Sequence, residues 1–175
     1  MQSKTPLSSL LAQVEHSANA SFAMCGSIAV MVTAGPLLVS DVMAFNGMLK
    51  AFRGKRASAD PLVLVLIQRG SGAPHADARK LLTNPPAEMR TRATAVTTDF
   101  DDYRVATARA VITAMRMVLR FEMAFEFRPN LTNACEWLVA QASRGADAPT
   151  ARELLSAVDE LRASRPVKSA PEDRR

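Results

Sequence analysis

The residues best placed to do chemistry lie in one short segment that follows the most apolar run of the chain. Ser71 stands there between two glycines, and His75 and Asp77 come a few positions later. A hydroxyl at this point could accept a phosphate, which the free N–H groups of a following helix would stabilise. With His75 as a base, Ser71 could instead act as the nucleophile of a hydrolase. We favour the simplest interpretation, a turn serine, because serine is an ordinary turn residue.

The other candidate groups lack the spacing that their chemistry requires. The segment 70–72 has no Gly-Lys-Ser/Thr ending, which a phosphate-binding loop needs. The acids between 99 and 102 are not followed by the ligand pattern of a calcium loop, and they suit a helix start. Cys25 and Cys135 stand far apart among apolar neighbours, so we expect buried, reduced thiols. The sequence therefore predicts no cofactor and no metal.

Apolar runs and helical spacing indicate the elements that would position these groups. Strands are predicted over 20–24, 28–32, 61–67, 93–98 and 121–127. Helices are predicted over 6–15, over 38–54 with Ser40 and Asp41 as caps, from 75, from 99–102, from 130, and over 150–163, where Thr150 and Glu153 form a capping box. Strands separated by helices favour a parallel sheet, since parallel neighbours need a crossover.

The predicted fold class is α/β. A mainly parallel central sheet of about five strands begins with an N-terminal hairpin, has helices packed around it, and is followed by an extra C-terminal helix. The predicted organisation is an N-terminal extension with a short helix (1–17), an α/β domain (18–145), an appended amphipathic helix (146–163) and a disordered tail (164–175). The residues expected to be nearly fully buried are Leu64, Val65, Leu66, Val42, Phe45, Ile112 and Met115.

Three sets of side chains are candidates for binding a partner. Arg109, Arg116 and Arg120 line one face of a predicted helix and could meet an acidic surface. The C-terminal helix carries an apolar stripe, which would dock on its own sheet or on another protein: Leu154, Leu155, Val158 and Leu161. Seven methionines could form an adaptable binding surface, although such residues more often fill a core that is poor in aromatic residues: Met24, Met31, Met43, Met48, Met115, Met117 and Met123.

The order of elements resembles that of the STAS domain, the fold of anti-sigma-factor antagonists, over residues 18–143. Gly72-Ala73-Pro74 with the following Ala76–Arg79, and Glu136-Trp137-Leu138, look like STAS-like proteins of myxobacterial type. In phosphorylated members of that family, an Asp-Ser-Ser/Thr-Gly turn carries the acceptor hydroxyl. The match here is Ser71, but Arg69 replaces the Asp and Gly70 the first Ser. The resemblance therefore implies a bacterial interaction module whose phosphorylation turn is degenerate.

Composition narrows the class of function. The chain has 175 residues, a net charge of +5 and 48% hydrophobic residues, which is typical of a globular protein. The basic residues form no dense stripe, so nucleic-acid binding is disfavoured. No signal peptide or membrane span is indicated, and we expect a cytoplasmic protein. The leading hypothesis is a non-enzymatic regulatory or scaffold module that binds another protein or itself. A carrier of a small apolar ligand and a hydrolase using Ser71 and His75 are the alternatives.

Overall fold

The computed structural model describes residues 10–55, 61–83, 86, 90–100, 124–142 and 148–165. These residues form a six-stranded sheet with helices on both of its faces. The strands are β1 (Ala12–His16), β2 (Ala20–Cys25), β3 (Ile28–Thr33), β4 (Leu62–Ile67), β5 (Ala93–Thr98) and β6 (Ala124–Phe127). The helices are α1 (Val39–Lys55), α2 (Ala76–Thr83), α3 (Leu131–Gln141) and α4 (Ala151–Ala163).

The strands lie in the sheet in the same order as in the sequence. β1, β2 and β3 are joined by antiparallel pairing, and β3 to β6 are parallel to one another. The predicted hairpin is therefore present as β2 and β3, with its turn at Gly26, whose φ is 58°. The predicted α/β class and the mainly parallel sheet are confirmed.

The predicted helix over 6–15 is wrong where the structure describes that segment. Residues 12–16 form β1, which raises the strand number from about five to six. β1 pairs along β2, and its register shifts between Ala12 and Glu15, where Gln13 adopts a φ of 55°. The backbone groups on the open edge of β2 need hydrogen-bond partners, and this tertiary demand overrides the local helical spacing.

Alternate residues of the strands point to opposite faces, and each face has its own core. On one face, α1 packs Phe45, Met48 and Leu49 against side chains of β2, β3 and β4. The rings of Phe22 and Phe45 lie 5.8 Å apart at a tilt of 51°. The second helix of this layer, α2, contacts α1 through Ala78 and Val42. We call α1 and α2 together the α1/α2 layer.

On the opposite face, α3 and α4 cover the sheet. Ala134, Cys135 and Leu138 of α3 pack on β-strand side chains such as Leu64 and Ala95. Four residues of α4 complete this core with no exposed surface: Leu154, Ala157, Val158 and Leu161. We call α3 and α4 together the α3/α4 layer. The helix predicted as an appendage is therefore part of the core of the sheet domain.

The predicted core is confirmed at most of its described positions. Leu64, Leu66, Val42 and Phe45 are buried. Val65 is only half-buried, because it lies towards the rim of the α1/α2 layer, where it packs at the margin of the core. The other two predicted core residues, Ile112 and Met115, lie outside the described residues, as does the helix predicted from 99–102.

The helix starts also differ in detail from the prediction. Asp41 is not the cap of α1 but its third residue, and its Oδ2 accepts the N–H of Leu38 at 2.7 Å. α3 begins as predicted, with the side chain of Asn130 accepting the N–H of Asn133. The capping box of α4 is confirmed in both directions, between Thr150 and Glu153.

Candidate functional site

The turn that carries Ser71 lies at the carboxyl edge of the parallel strands, directly after β4. In open α/β sheets, ligands commonly bind at this edge. Gly70 and Gly72 take positive φ angles of 89° and 67°, which let the chain turn sharply on both sides of the serine. The backbone N–H of Ser71 closes the turn on the carbonyl of Gln68 at 3.0 Å. The two glycines and this hydrogen bond thus fix the direction of the Ser71 hydroxyl.

The Ser71 hydroxyl is directed into the protein, and Ser71 is only 2% exposed. It donates to the backbone carbonyl of Thr33 at 3.0 Å. Its oxygen also lies 2.8 Å from the Thr33 Oγ1. Either hydroxyl can be the donor in the second contact, and the Thr33 hydroxyl also lies 3.5 Å from the carbonyl of Leu66, to which it can donate. The two bonds fasten the turn after β4 to the end of β3.

This geometry does not favour the predicted phosphoacceptor. A kinase would need the hydroxyl at the surface, and a phosphate could not replace a buried proton without breaking both bonds to Thr33. Ser71 also lies five residues before the start of α2 at Ala76, so the N–H groups of that helix are not adjacent to it. Phosphorylation of Ser71 stays a prediction, and it requires the turn to open.

The structure does not bring the hydrolase candidates together. His75 is exposed, and its backbone N–H donates to the carbonyl of Leu37 at 3.0 Å. Asp77, in the first turn of α2, pairs instead with Lys80 at 3.1 Å on the surface. Both hydroxyl bonds of Ser71 go to Thr33, so no hydrogen bond among the described residues links it to His75. These three residues therefore form no triad in this conformation.

Asp99 has a role that sequence reasoning missed. It follows β5, and its Oδ1 accepts the backbone N–H of Arg69 at 2.8 Å, while its Oδ2 accepts from Arg162 at 3.1 Å. One carboxylate thus joins the turn after β4 to the last turn of α4. The partner Arg162 lies 63 residues away, and no local pattern indicates such a pair.

The structure describes only one of the two helix faces that were predicted to bind a partner. Arg109, Arg116 and Arg120 lie outside the described residues. The stripe of α4 does not face outwards: Leu154, Val158 and Leu161 have no exposed surface, and Leu155 is half-buried against the same core. The stripe is covered by the chain's own sheet, which is the first of the two alternatives given for it. Ser164 and Arg165, predicted to begin a disordered tail, bond to Leu161 and Ala18.

Strongly exposed apolar side chains concentrate on α1. In the part of the chain that the structure describes, three large apolar residues are strongly exposed: Val14, Val39 and Met43. Two of these lie one turn apart on the outer face of α1, with Met43 56% and Val39 40% exposed. Met24, Met31 and Met48 are instead buried in the core. The core interpretation is therefore confirmed for these three methionines, and an adaptable binding surface at Met43 stays a prediction.

The two layers also differ in charge. The helices of the α1/α2 layer carry five basic residues against two acids, a net charge of +3. Those of the α3/α4 layer carry two basic residues against four acids, a net charge of −2. One of the two acids of the α1/α2 layer, Asp41, is buried. The outer surface of that layer is therefore predominantly cationic.

The remaining groups fit structural roles. Burial raises the pKa of the Cys25 thiol to about 11 and that of Cys135 to about 12, so both stay protonated and unreactive at neutral pH. Within the described ranges, no group of three or more His, Cys, Asp and Glu side chains could hold a metal ion. None of the described helices has the length and apolar character needed to span a membrane.

Comparison with known proteins adds no relative. No protein-family model matches the chain, and neither a curated protein nor a solved structure matches it.

Proposed function

We propose that this chain is a non-enzymatic, bacterial protein-interaction module of regulatory or scaffold type, similar in fold to STAS domains. The observation that carries the proposal is the position of the apolar exposure. Val39 and Met43 share the outer face of α1, while Phe45, Met48, Leu49 and Phe52 of that helix pack on the sheet. Adjacent exposed apolar residues on a well-packed helix are typical of a contact surface.

The Ser71 turn supports a module without a phosphorylation switch. The turn that would carry the acceptor in the resembled family is bonded to Thr33 and forms part of the fold. Binding by this module would then be constitutive, or would be regulated through the partner. We place the protein in the cytoplasm, because its two cysteines are free thiols, as expected in a reducing compartment.

The alternatives have less support. A carrier of an apolar ligand would need an internal cavity, whereas the described side chains of both cores pack against one another. A hydrolase would need Ser71 to leave Thr33 and approach His75. Neither alternative rests on a specific contact, so the interaction module is the function that the geometry supports best.

The test is to ask whether α1 mediates direct binding. The tagged chain, its Met43→Asp variant and an Arg152→Asp control from the α3/α4 layer would be expressed in the source cells and purified under mild conditions. Arg152 is exposed on α4, so its variant changes charge on the opposite layer. Each protein that co-purifies with the wild type would then be purified and titrated against all three chains by calorimetry.

We expect at least one protein to bind the wild type and the control directly, and to bind Met43→Asp at least about tenfold more weakly. Thermal melting of all three chains would verify that they are folded. If no purified candidate binds, or if Met43→Asp binds as well as the wild type does, the proposal is wrong.

A further inference from the structure

The outer face of α1 combines two chemistries that together specify a partner. Its first half carries the exposed apolar residues Val39 and Met43. Its second half carries Lys50, which is exposed and lies seven residues after Met43, so the two side chains share this face. The only acid of the helix, Asp41, is 1% exposed and accepts the N–H of Leu38. The exposed face is thus apolar at one end and cationic at the other.

We infer that this face binds an acidic amphipathic helix of a partner protein, an inference that rests on the proposed function. The apolar side of such a helix would cover Met43 and Val39, and its carboxylates would lie opposite Lys50. Charge complementarity of this kind steers association and selects the partner. The neighbouring α2 adds the exposed Arg79 to the same layer, while its Lys80 pairs with Asp77.

A second copy of the chain fits this face less well. A parallel pairing of α1 with α1 would bring the two Lys50 side chains together, and like charges at an interface oppose binding. An antiparallel pairing would place each Lys50 near the apolar end of the other α1, where the only acid of the helix, Asp41, is buried. The α3/α4 layer of another copy would offer acids, but its large apolar side chains are buried against its own sheet. It would therefore supply charge without an apolar anchor for Met43.

The middle of the face suits a helix that approaches closely. Gly47 and Ala51, both exposed, follow Met43 at successive intervals of four residues. A Cβ added at Gly47 would meet nothing within 4 Å, so the fold itself does not require a glycine there. Small residues let two helix backbones come near each other. A lipid surface would instead select bulky side chains such as Trp, Phe and Leu, and the described outer residues of α1 include none of these.

The probe is a synthetic, end-capped helical peptide of about 20 residues, long enough to form a helix. It has one apolar face of Leu and Ala and Glu at its polar positions. A matched peptide has Lys in place of every Glu. Both would be titrated into the full chain by fluorescence anisotropy. The variants are Met43→Asp, Lys50→Glu and the opposite-layer control Arg152→Glu, each verified by circular dichroism and thermal melting.

We expect the Glu peptide to bind the wild type at least about tenfold more tightly than the Lys peptide, and to lose affinity as salt rises from about 50 to 500 mM. Met43→Asp should weaken binding of the Glu peptide at least about tenfold, and Lys50→Glu should reduce the preference for Glu over Lys. The Arg152→Glu chain should behave as the wild type does.

Several results would overturn the inference. These are equal affinity for the two peptides, no measurable binding of the Glu peptide, no effect of Met43→Asp, or self-association of the full chain by sedimentation that Met43→Asp abolishes. Binding to phosphatidylserine vesicles but not to the peptide would also overturn it, in favour of a membrane. If a cellular partner binds through Met43 while the peptides show no preference, only this inference fails. If no partner binds, the proposed function fails.

Discussion

Each of the two helical layers of this protein covers one face of the sheet with apolar side chains, but their outer surfaces differ. In the α3/α4 layer, every large apolar residue of α4 is buried or half-buried, and the net charge of the two helices is −2. In the α1/α2 layer, α1 buries one apolar face and exposes Val39 and Met43 on the other, among an excess of basic residues. The α3/α4 layer is therefore assigned to stability, and the exposed apolar residues of the α1/α2 layer are those on which the proposed contact surface rests.

The largest effect should follow from removing α4. Deleting residues 146–175 would strip three large buried side chains from the sheet, which contribute about 5–9 kcal/mol at about 1.5–3 kcal/mol each. This is comparable to the whole stability of a typical domain, so we expect the truncated chain to be unfolded or insoluble. Circular dichroism and thermal melting would measure this.

The matched control for this deletion removes residues 166–175 only. It leaves all described contacts of α4 in place, and we expect its melting point to equal that of the full chain. A folded, monomeric chain after the longer deletion, with an unchanged melting point, would show that α4 contributes nothing to the sheet domain. The assignment of the α3/α4 layer to stability would then be wrong.

A pair of substitutions compares the layers directly. Leu154→Ala, in the fully buried stripe of α4, should lower the free energy of unfolding by about 2–5 kcal/mol, because it removes apolar contacts and leaves a cavity. Met43→Ala on the outer face of α1 should change it by less than about 0.5 kcal/mol. Urea denaturation of both variants measures the difference. Equal losses would contradict the distinction between the layers.

Ser71→Ala tests the turn that follows β4 at the carboxyl edge of the sheet. It removes both hydrogen bonds to Thr33, and at about 0.5–1.5 kcal/mol each we expect the free energy of unfolding to fall by about 1–3 kcal/mol. Ser71→Asp should cost more, because a charge would enter the buried site. The control is Ser40→Ala, at an exposed position of α1, with an expected change below about 0.5 kcal/mol. If Ser71→Asp is as stable as the wild type, the hydroxyl can leave the core, and phosphorylation becomes credible.

Thr150→Ala should lower the free energy of unfolding by about 1 kcal/mol, because it removes one half of the capping box of α4. Hydrogen bonds from the Thr150 backbone and side chain lower the pKa of Glu153. A carboxylate with a lowered pKa stabilises the fold above its unfolded pKa, and this contribution is lost as the pH falls through the folded value.

We therefore expect the difference in stability between the wild type and Thr150→Ala to shrink as the pH falls below about 4. Melting both chains over a series of pH values measures this. A constant difference across that range would show that the ionised form of Glu153 does not contribute to the cap.

Local sequence patterns predicted much of this fold, and they failed where contacts between residues far apart in the sequence determine the structure. The continuous apolar run of β4 and the capping box of α4 need no tertiary information, and both were predictable. β1 was not, because the open edge of β2 overrides its helical spacing. The contacts of Ser71 with Thr33 and of Asp99 with Arg162 join residues 38 and 63 positions apart. No spacing rule connects them, so the sequence favoured a turn serine at position 71 without predicting its bonds to Thr33.

Gly47→Ala should have the smallest effect on stability, and it tests most directly whether a partner helix binds the outer face of α1. A glycine inside a helix costs up to about 1 kcal/mol relative to alanine, and a Cβ at Gly47 would meet open space. Gly47→Ala should therefore stabilise the fold by about 0.5–1 kcal/mol. The same methyl group would stand between α1 and a closely approaching helix, so affinity for the acidic peptide should fall as stability rises.

Gly54→Ala is the control. Its Cβ would also meet open space, but it lies within the last turn of α1, so this substitution should change both stability and affinity less. Opposite changes at Gly47 would mean that the glycine serves contact rather than folding. A gain in stability with unchanged affinity would mean that no partner approaches α1 closely.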